Sequence, residues 1–138
     1  MSDFTKFIGP QKSAELDAEF IHAASKCLDR FTAFFNACDT DGMDGELHFP
    51  HFMLSGSERL VWLEAGQHPI DFFTKLRASG WHHTQYEAKE PVLVGRDKVH
   101  FVVTYSRRNK TGVILTKHKN LWIVTRVSDK WGISLRSC

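Results

Sequence analysis

The hydrophobic residues of residues 13–38 recur every three or four positions. This spacing places them on one face of an α-helix, which makes one turn in 3.6 residues. Ser13 is the expected N-cap, and Glu15 and Asp17 place negative charge near the positive end of the helix dipole. The apolar positions are Leu16, Phe20, Ala24, Cys27, Phe31, Phe34 and Cys38. The pattern predicts a long first helix with a wide aromatic face.

The next segment, residues 39–45, is rich in Asp and Gly and holds at most one helical turn. After it, β-prone residues fill positions 47–54 and 59–64 on either side of the turn signal Ser55-Gly56-Ser57. This arrangement predicts two short strands.

A second helix is predicted over residues 69–80. Pro69 suits the first helical position, where a backbone N–H would be unsatisfied in any case, and Gly80 suits the C-cap. Its expected buried face carries Ile70, Phe73 and Leu76.

The helical period disappears from Trp81 onward, and turn residues divide the chain into four predicted strands. They cover residues 81–94, 98–108, 113–127 and 131–136. Pro91 lacks an N–H for the strand ladder, so it predicts a bulge or an edge. Helices followed by antiparallel strands are typical of an α+β fold, in which the helices pack on one face of the sheet.

The predicted strand 98–108 is apolar on both faces. Its odd positions include Val99 and Phe101, while His100 and Val102 point the other way. A sheet with two non-polar faces needs two covers, and the helices provide one. Another subunit would provide the second cover.

Length and composition indicate one soluble domain. A domain holds roughly 100–200 residues, so we assign residues 13–138 to a single domain and residues 1–12 to an N-terminal arm. The net charge of +2 provides no basic excess for nucleic acid or an anionic membrane. The chain has no signal-peptide pattern or long apolar run, and its three cysteines suit a reducing compartment. A cytoplasmic protein is the resulting expectation.

A calcium loop is the first metal site to test, because residues 39–46 contain several carboxylates. An EF-hand loop needs a ligand at its fifth position, Gly at its sixth and Glu at its twelfth. Counted from Asp39, these positions hold Met43, Asp44 and Pro50. The pattern excludes this type of site.

A histidine metal site is not supported either. His82 and His83 are neighbours on a predicted strand and point to opposite faces. Pro50 disfavours the helix that a site built from His48 and His51 requires. No Walker loop, Gly-x-Gly-x-x-Gly turn or Gly-x-Ser-x-Gly elbow is present. We expect neither a metal nor a cofactor.

The chain is rich in ring-bearing side chains, with 8 His, 4 Trp and 11 Phe, which suit either a bulky core or an aromatic pocket. A neutral imidazole donates on one side and accepts on the other, so a histidine in a cavity suits ligand orientation or proton transfer. The candidate polar groups are His51 and His83. The candidate pocket walls are Trp62, Trp81, Tyr105 and Trp122. A one-residue shift of the strand would exchange Trp81 and His83 for His82 and Thr84.

Several segments resemble the SnoaL-like branch of the nuclear transport factor 2-like superfamily, over nearly the whole chain from Ser13. They are residues 29–37 (DRFTAFFNA), 47–52 (LHFPHF), 81–83 (WHH), 97–100 (DKVH), 121–126 (LWIVTR), 131–133 (WGI) and 136–137 (RS). The resemblance implies a cone, in which a curved antiparallel sheet wraps against N-terminal helices around a pocket. It also implies pairing of two copies through the outer sheet face.

Known enzymes of this fold fit the sequence unevenly. The tyrosine of ketosteroid isomerase falls at Phe31, and residues 49–57 contain no carboxylate for its base. The acidic groups of polyketide cyclases and limonene epoxide hydrolase have no evident counterpart. Scytalone dehydratase is similar in residue type, because its His and Tyr groups match the candidate catalytic residues His51, His83 and Tyr105.

The sequence leads to three hypotheses. In the first, the protein binds a small, largely apolar molecule in an aromatic pocket. In the second, it is a proton-transfer lyase or isomerase, of dehydratase or cyclase type, with His51 as the base. In the third, it is a protein-interaction module like the transport factor itself.

Overall fold

The computed structural model describes residues 17–138. The predicted cap at Ser13, the acidic Glu15 and the N-terminal arm lie outside the described residues. Helix α1 covers Asp17–Asn36, and the short helix α2 covers Thr40–Gly45. The Asp39 side chain caps α2 by accepting a hydrogen bond from the Gly42 N–H. The acidic segment that resembles a calcium loop is thus a capped helical turn.

The third helix is shorter than its sequence pattern predicts. Helix α3 covers Phe72–Ala78, and the Pro69 carbonyl accepts a hydrogen bond from the Phe72 N–H in the turn before it. Ile70 lies in this turn and is fully exposed. Its predicted place on the buried helix face is therefore wrong, whereas Phe73 is buried as expected.

All six predicted strands are present. Their observed bounds agree with the predicted ones to within two residues at each end. The strands are β1 Leu47–Ser55, β2 Glu58–Trp62, β3 His83–Val94, β4 Lys98–Arg108, β5 Ile114–Val127 and β6 Lys130–Ser137. The register of β3 against β4 shifts between Pro91 and Leu93, which confirms the bulge predicted at Pro91.

The strands form one mixed sheet in the order β2-β1-β6-β5-β4-β3. Four of the five strand pairs are antiparallel, and β1 pairs with β6 in parallel. The antiparallel expectation therefore fails at one pair. The physical reason is that no hairpin joins β1 to β6: the chain passes through α3 to the far edge and returns as a four-stranded meander.

The core lies between α1 and the inner face of this sheet. Phe20, Ala24, Cys27, Leu28 and Phe31 form the buried stripe of α1. They pack with the alternating β4 residues Val99, Phe101 and Val103, each at most 1% exposed. The sheet does not close into a barrel, and a cavity lies between α1 and its inner face. Within residues 17–138, no helix combines the length and apolarity needed to cross a membrane.

Candidate functional site

The cavity has a volume of about 610 Å³. Pockets for small molecules span about 300–1,000 Å³, so the volume of this cavity lies in the range of such pockets. Aromatic and aliphatic side chains form most of its surface, and polar side chains, among them those of Arg59, Arg107 and Arg136, form the rest. The main aromatic residues are Phe31, Phe35, Trp62, Phe72, Tyr86 and Trp122.

Three predicted wall residues come together at the cavity. Trp62, Tyr105 and Trp122 all line it. The ring centroids of Tyr105 and Trp122 are 5.9 Å apart, and the Phe31 ring meets Trp122 edge to face at 5.8 Å. Tyr105 on β4 and Trp122 on β5 lie on the same face of the sheet because side chains alternate regularly along both strands.

Trp81 and His83 do not line the cavity. Trp81 is buried against Phe35 and Phe73, and its indole N–H donates to the Thr84 hydroxyl at 3.0 Å. The Nδ1 atom of His83 lies 3.0 Å from that of the exposed His82. Thr84 lines the cavity, so β3 follows the alternative register at this position.

His51 lies fully buried behind the cavity wall rather than on it. Its Nε2 is 3.0 Å from Arg136 Nε, and its Nδ1 is 2.9 Å from the Ile133 carbonyl oxygen. Arginine can only donate, so Nε2 accepts and the Nδ1–H donates to the carbonyl. Burial, followed by the charge of Arg136, lowers the pKa of His51 to about 3. His51 is therefore neutral near pH 7, with both ring nitrogens occupied.

Arg136 is the cation that His51 holds at the cavity. It pairs with Met53 and Trp122 across the sheet, and all three side chains line the cavity. Its guanidinium carbon lies 5.3 Å from the Phe31 ring centroid and 5.9 Å from that of Trp62. Burial lowers the pKa of Arg136 to about 10, so the side chain is still charged near pH 7. None of the ion pairs formed within residues 17–138 includes Arg136.

His68 is a second polar group of the cavity and one that the sequence pattern did not indicate. It lies in the loop between β2 and α3, where no periodicity marks it. Its Nε2 is 3.0 Å from Asp44 Oδ1, and Asp44 Oδ2 accepts a hydrogen bond from the Gly66 N–H. The ring meets Trp62 at a centroid distance of 4.6 Å. Burial lowers the pKa of His68 although Asp44 opposes this shift.

With its pKa lowered, His68 is a neutral imidazole near pH 7. Its Nε2–H donates to Asp44, and its Nδ1 keeps a free lone pair. Within the described part of the chain, Nδ1 has no hydrogen-bond partner. An imidazole oriented by a carboxylate in this way is able to accept a proton.

Tyr105 is the candidate catalytic residue that reaches the cavity. Its hydroxyl oxygen accepts a hydrogen bond from Asn120 Nδ2 at 3.3 Å, and its ring stacks on His118 at 4.8 Å. Burial raises the pKa of Tyr105, so the hydroxyl keeps its proton. That proton is available to a ligand oxygen. Within residues 17–138, His, Cys, Asp and Glu side chains form no cluster of three or more suited to a metal ion.

Comparison with known proteins places the fold. No protein-family model matches the chain, and no curated protein matches it. A solved NTF2-like protein with a cystatin-like fold from Novosphingobium aromaticivorans has a TM-score of 0.67 and 14% identity, over 87% of this chain and 80% of its own.

Two further solved structures agree. An NTF2-like protein of unknown function from Shewanella oneidensis has a TM-score of 0.60 and 11% identity, over 84% of this chain and 95% of its own. A ketosteroid isomerase-like protein from Erwinia carotovora atroseptica has a TM-score of 0.58 and 16% identity, over 91% and 95%. At these identities the similarity defines the fold alone.

The neutral state of His51 predicts a pH dependence of stability. Between its ordinary pKa of 6.5 and its folded pKa of about 3, the unfolded chain binds a proton at His51 that the folded chain does not. The free energy of unfolding therefore falls as the pH falls, by about 1.4 kcal/mol per pH unit for this one proton. Urea unfolding of wild type and His51→Gln between about pH 7 and about pH 5 measures the difference in slope.

In His51→Gln, the free energy of unfolding should depend less steeply on pH, by an amount equivalent to about one bound proton. The exposed His22 provides a matched control, because His22→Gln removes a histidine without touching the cavity. If the free energy of unfolding changed equally with pH in wild type and His51→Gln, the assignment of a neutral His51 ring with two hydrogen bonds would be wrong.

Proposed function

Because the chain has the nuclear transport factor 2-like fold, we propose that it binds a small, largely apolar molecule in the cavity between α1 and the inner sheet face. The observation that carries this proposal is the cavity itself, with about 610 Å³ of space and a mainly apolar surface to which seven aromatic residues contribute. Large apolar pockets with a few convergent polar groups are the usual form of small-molecule sites. Trp62, Tyr105 and Trp122 are the proposed wall residues.

A neutral fluorescent probe tests this function. N-phenyl-1-naphthylamine, which brightens in apolar surroundings, should bind the full chain saturably. Thr32 is a half-buried residue of α1 that lines the cavity, so Thr32→Phe fills part of the space and should weaken binding at least about tenfold. Fluorescence titration measures both affinities.

The control for added bulk is Thr74→Phe, on the exposed side of α3 and outside the cavity. It should bind the probe like wild type. Absence of saturable binding by the folded wild type, or equal affinity for wild type and Thr32→Phe, would count against the cavity as the site.

A second candidate function is proton transfer, and the His68–Asp44 pair favours it. The base of this hypothesis moves from His51 to His68, because both nitrogens of His51 are occupied within the protein. His68 Nδ1 would take a proton from a carbon next to a ligand carbonyl, and the C–H electron pair would pass to the carbonyl oxygen. The Tyr105 hydroxyl would stabilise that oxygen by donating a hydrogen bond.

Exchange of the α-protons of 2-tetralone in D₂O, followed by NMR, tests this chemistry with an apolar aromatic ketone. The wild type should accelerate the exchange, and His68→Ala should remove most of the acceleration, on the order of 100-fold for a general base. Tyr105→Phe should lose part of the acceleration. The control is His82→Ala, because His82 lies outside the cavity, and it should exchange the protons faster than Tyr105→Phe. Full activity of His68→Ala would exclude His68 as the base.

We also propose that two copies pair through the outer sheet face. Register partners form one row across all six strands, from Val61 and Phe52 through Leu135 and Ile123 to His100 and Leu93. Phe52 and Val61 are 41% and 44% exposed, and His100 Nε2 is buried without a hydrogen-bond partner. An apolar row of this kind is able to meet itself across a twofold axis.

Light scattering coupled to size-exclusion chromatography tests this pairing. Wild type should elute as a dimer, and Phe52→Glu should be monomeric, since it places a charge at an exposed position of the row. Leu63→Glu changes a residue that is 76% exposed and lies outside the row, so it should stay dimeric. A monomeric wild type or a dimeric Phe52→Glu would contradict the proposal.

A further inference from the structure

Arg136 is a half-buried cation whose charge no side chain in the described part of the chain neutralises. Arg136 forms no ion pair within residues 17–138. Six other basic side chains there each have a nitrogen within 4.0 Å of a carboxylate oxygen. Glu58 is the one acidic side chain that lines the cavity within residues 17–138, and it lies exposed. A cation that has lost part of its hydration and has no counter-ion is costly, so its presence on the cavity wall needs an explanation.

The hydrogen bonds of Arg136 leave most of its donors free. The Nε–H donates to His51 Nε2, and Nη2 lies 3.3 Å from the weak acceptor Met53 Sδ. A guanidinium carries five N–H groups, so three have no partner within the described residues. Arg136 lines the cavity. Arg107 Nε is buried without a hydrogen-bond partner, whereas neither terminal nitrogen of Arg136 is both buried and without a partner.

We propose that the ligand of this cavity carries a carboxylate, which the terminal N–H groups of Arg136 bind while the aromatic walls enclose an apolar body. This inference rests on the proposed binding function and adds the chemical class of the ligand. The planar fork of a guanidinium matches the two oxygens of a carboxylate. The Phe31 and Trp62 ring centroids lie 5.3 Å and 5.9 Å from the guanidinium carbon, and the hydrogen bond to His51 engages its Nε edge inside the protein.

Of the three arginines that line the cavity, only Arg136 is held by a hydrogen bond to His51, and one fixed cation favours a carboxylate over a phosphate ester. A phosphate carries about two negative charges near neutral pH, and only one of them would meet a cation that is fixed by a hydrogen bond. Arg107 and Arg59 also line the cavity, but Arg59 is exposed, and neither has the hydrogen-bonded support that Arg136 receives from His51.

A pair of probes of the same size separates charge recognition from apolar binding. 2-Naphthoate and 2-naphthamide compete with the neutral N-phenyl-1-naphthylamine on the full chain, and displacement of its fluorescence gives both affinities. The wild type should prefer the carboxylate by about 10- to 100-fold, the effect of a charged hydrogen-bonded pair. Arg136→Met should reduce this ratio to about 1 while it still binds the neutral probe.

Two further variants keep the test decisive. Arg136→Lys retains the charge but loses the planar, two-pronged donor geometry of the guanidinium. Its preference for naphthoate over naphthamide should fall at least about tenfold, which provides a test that does not depend on the folding of Arg136→Met. Arg96→Met removes an exposed arginine of the β3–β4 turn, outside the cavity, and should retain the full ratio.

The outcomes distinguish the two proposals. If the neutral probe does not bind, the proposed binding function fails. If it binds but wild type shows no preference for naphthoate, the carboxylate proposal alone fails. A preference that survives in Arg136→Met, or that Arg107→Met abolishes in its place, would overturn the assignment to Arg136.

Discussion

The hydrogen bond between Arg136 and His51 is the constraint on which the cavity depends. A guanidinium that has lost part of its hydration requires an acceptor, and His51 provides one because its other nitrogen is fixed on the Ile133 carbonyl. The parallel pairing of β1 with β6 brings these residues together: Met53 pairs with Arg136, and His51 lies two positions earlier on the same face. A purely antiparallel sheet would not produce this register.

The cavity combines this cation with the His68–Asp44 pair, and the two groups influence each other. The charge of Arg136 adds to burial in lowering the pKa of His68, while Asp44 favours the charged form of both. Asp44 is fixed by His68 and the Gly66 N–H, which keeps its carboxylate away from direct contact with Arg136. A carboxylate bound at Arg136 would offset the positive field and raise the pKa of His68, making it a better base.

Regular segments of the sequence predicted the structure, and irregular ones did not. Regular alternation over the middle of β4 and β5 puts Tyr105 and Trp122 on the inner face, where both line the cavity. In β6, alternation from Ile133 would put Leu135 inside, but a register shift between Ile123 and Val124 turns Arg136 inward instead. His68 lies in a loop without a period, so its contact with Asp44, 24 residues earlier, has no local sequence signal. Both decisive polar groups therefore depend on tertiary structure.

The same irregularity of β6 connects the two faces of the sheet. Leu135 belongs to the apolar row of the outer face, and the next residue, Arg136, points into the cavity. Any cover on the outer row restrains the β6 backbone at Leu135 and so restrains the base of the Arg136 side chain. Rigid support matters for a guanidinium, because bidentate binding requires its plane to stay oriented. A paired sheet would therefore support the binding geometry of the cavity without contributing a residue to it.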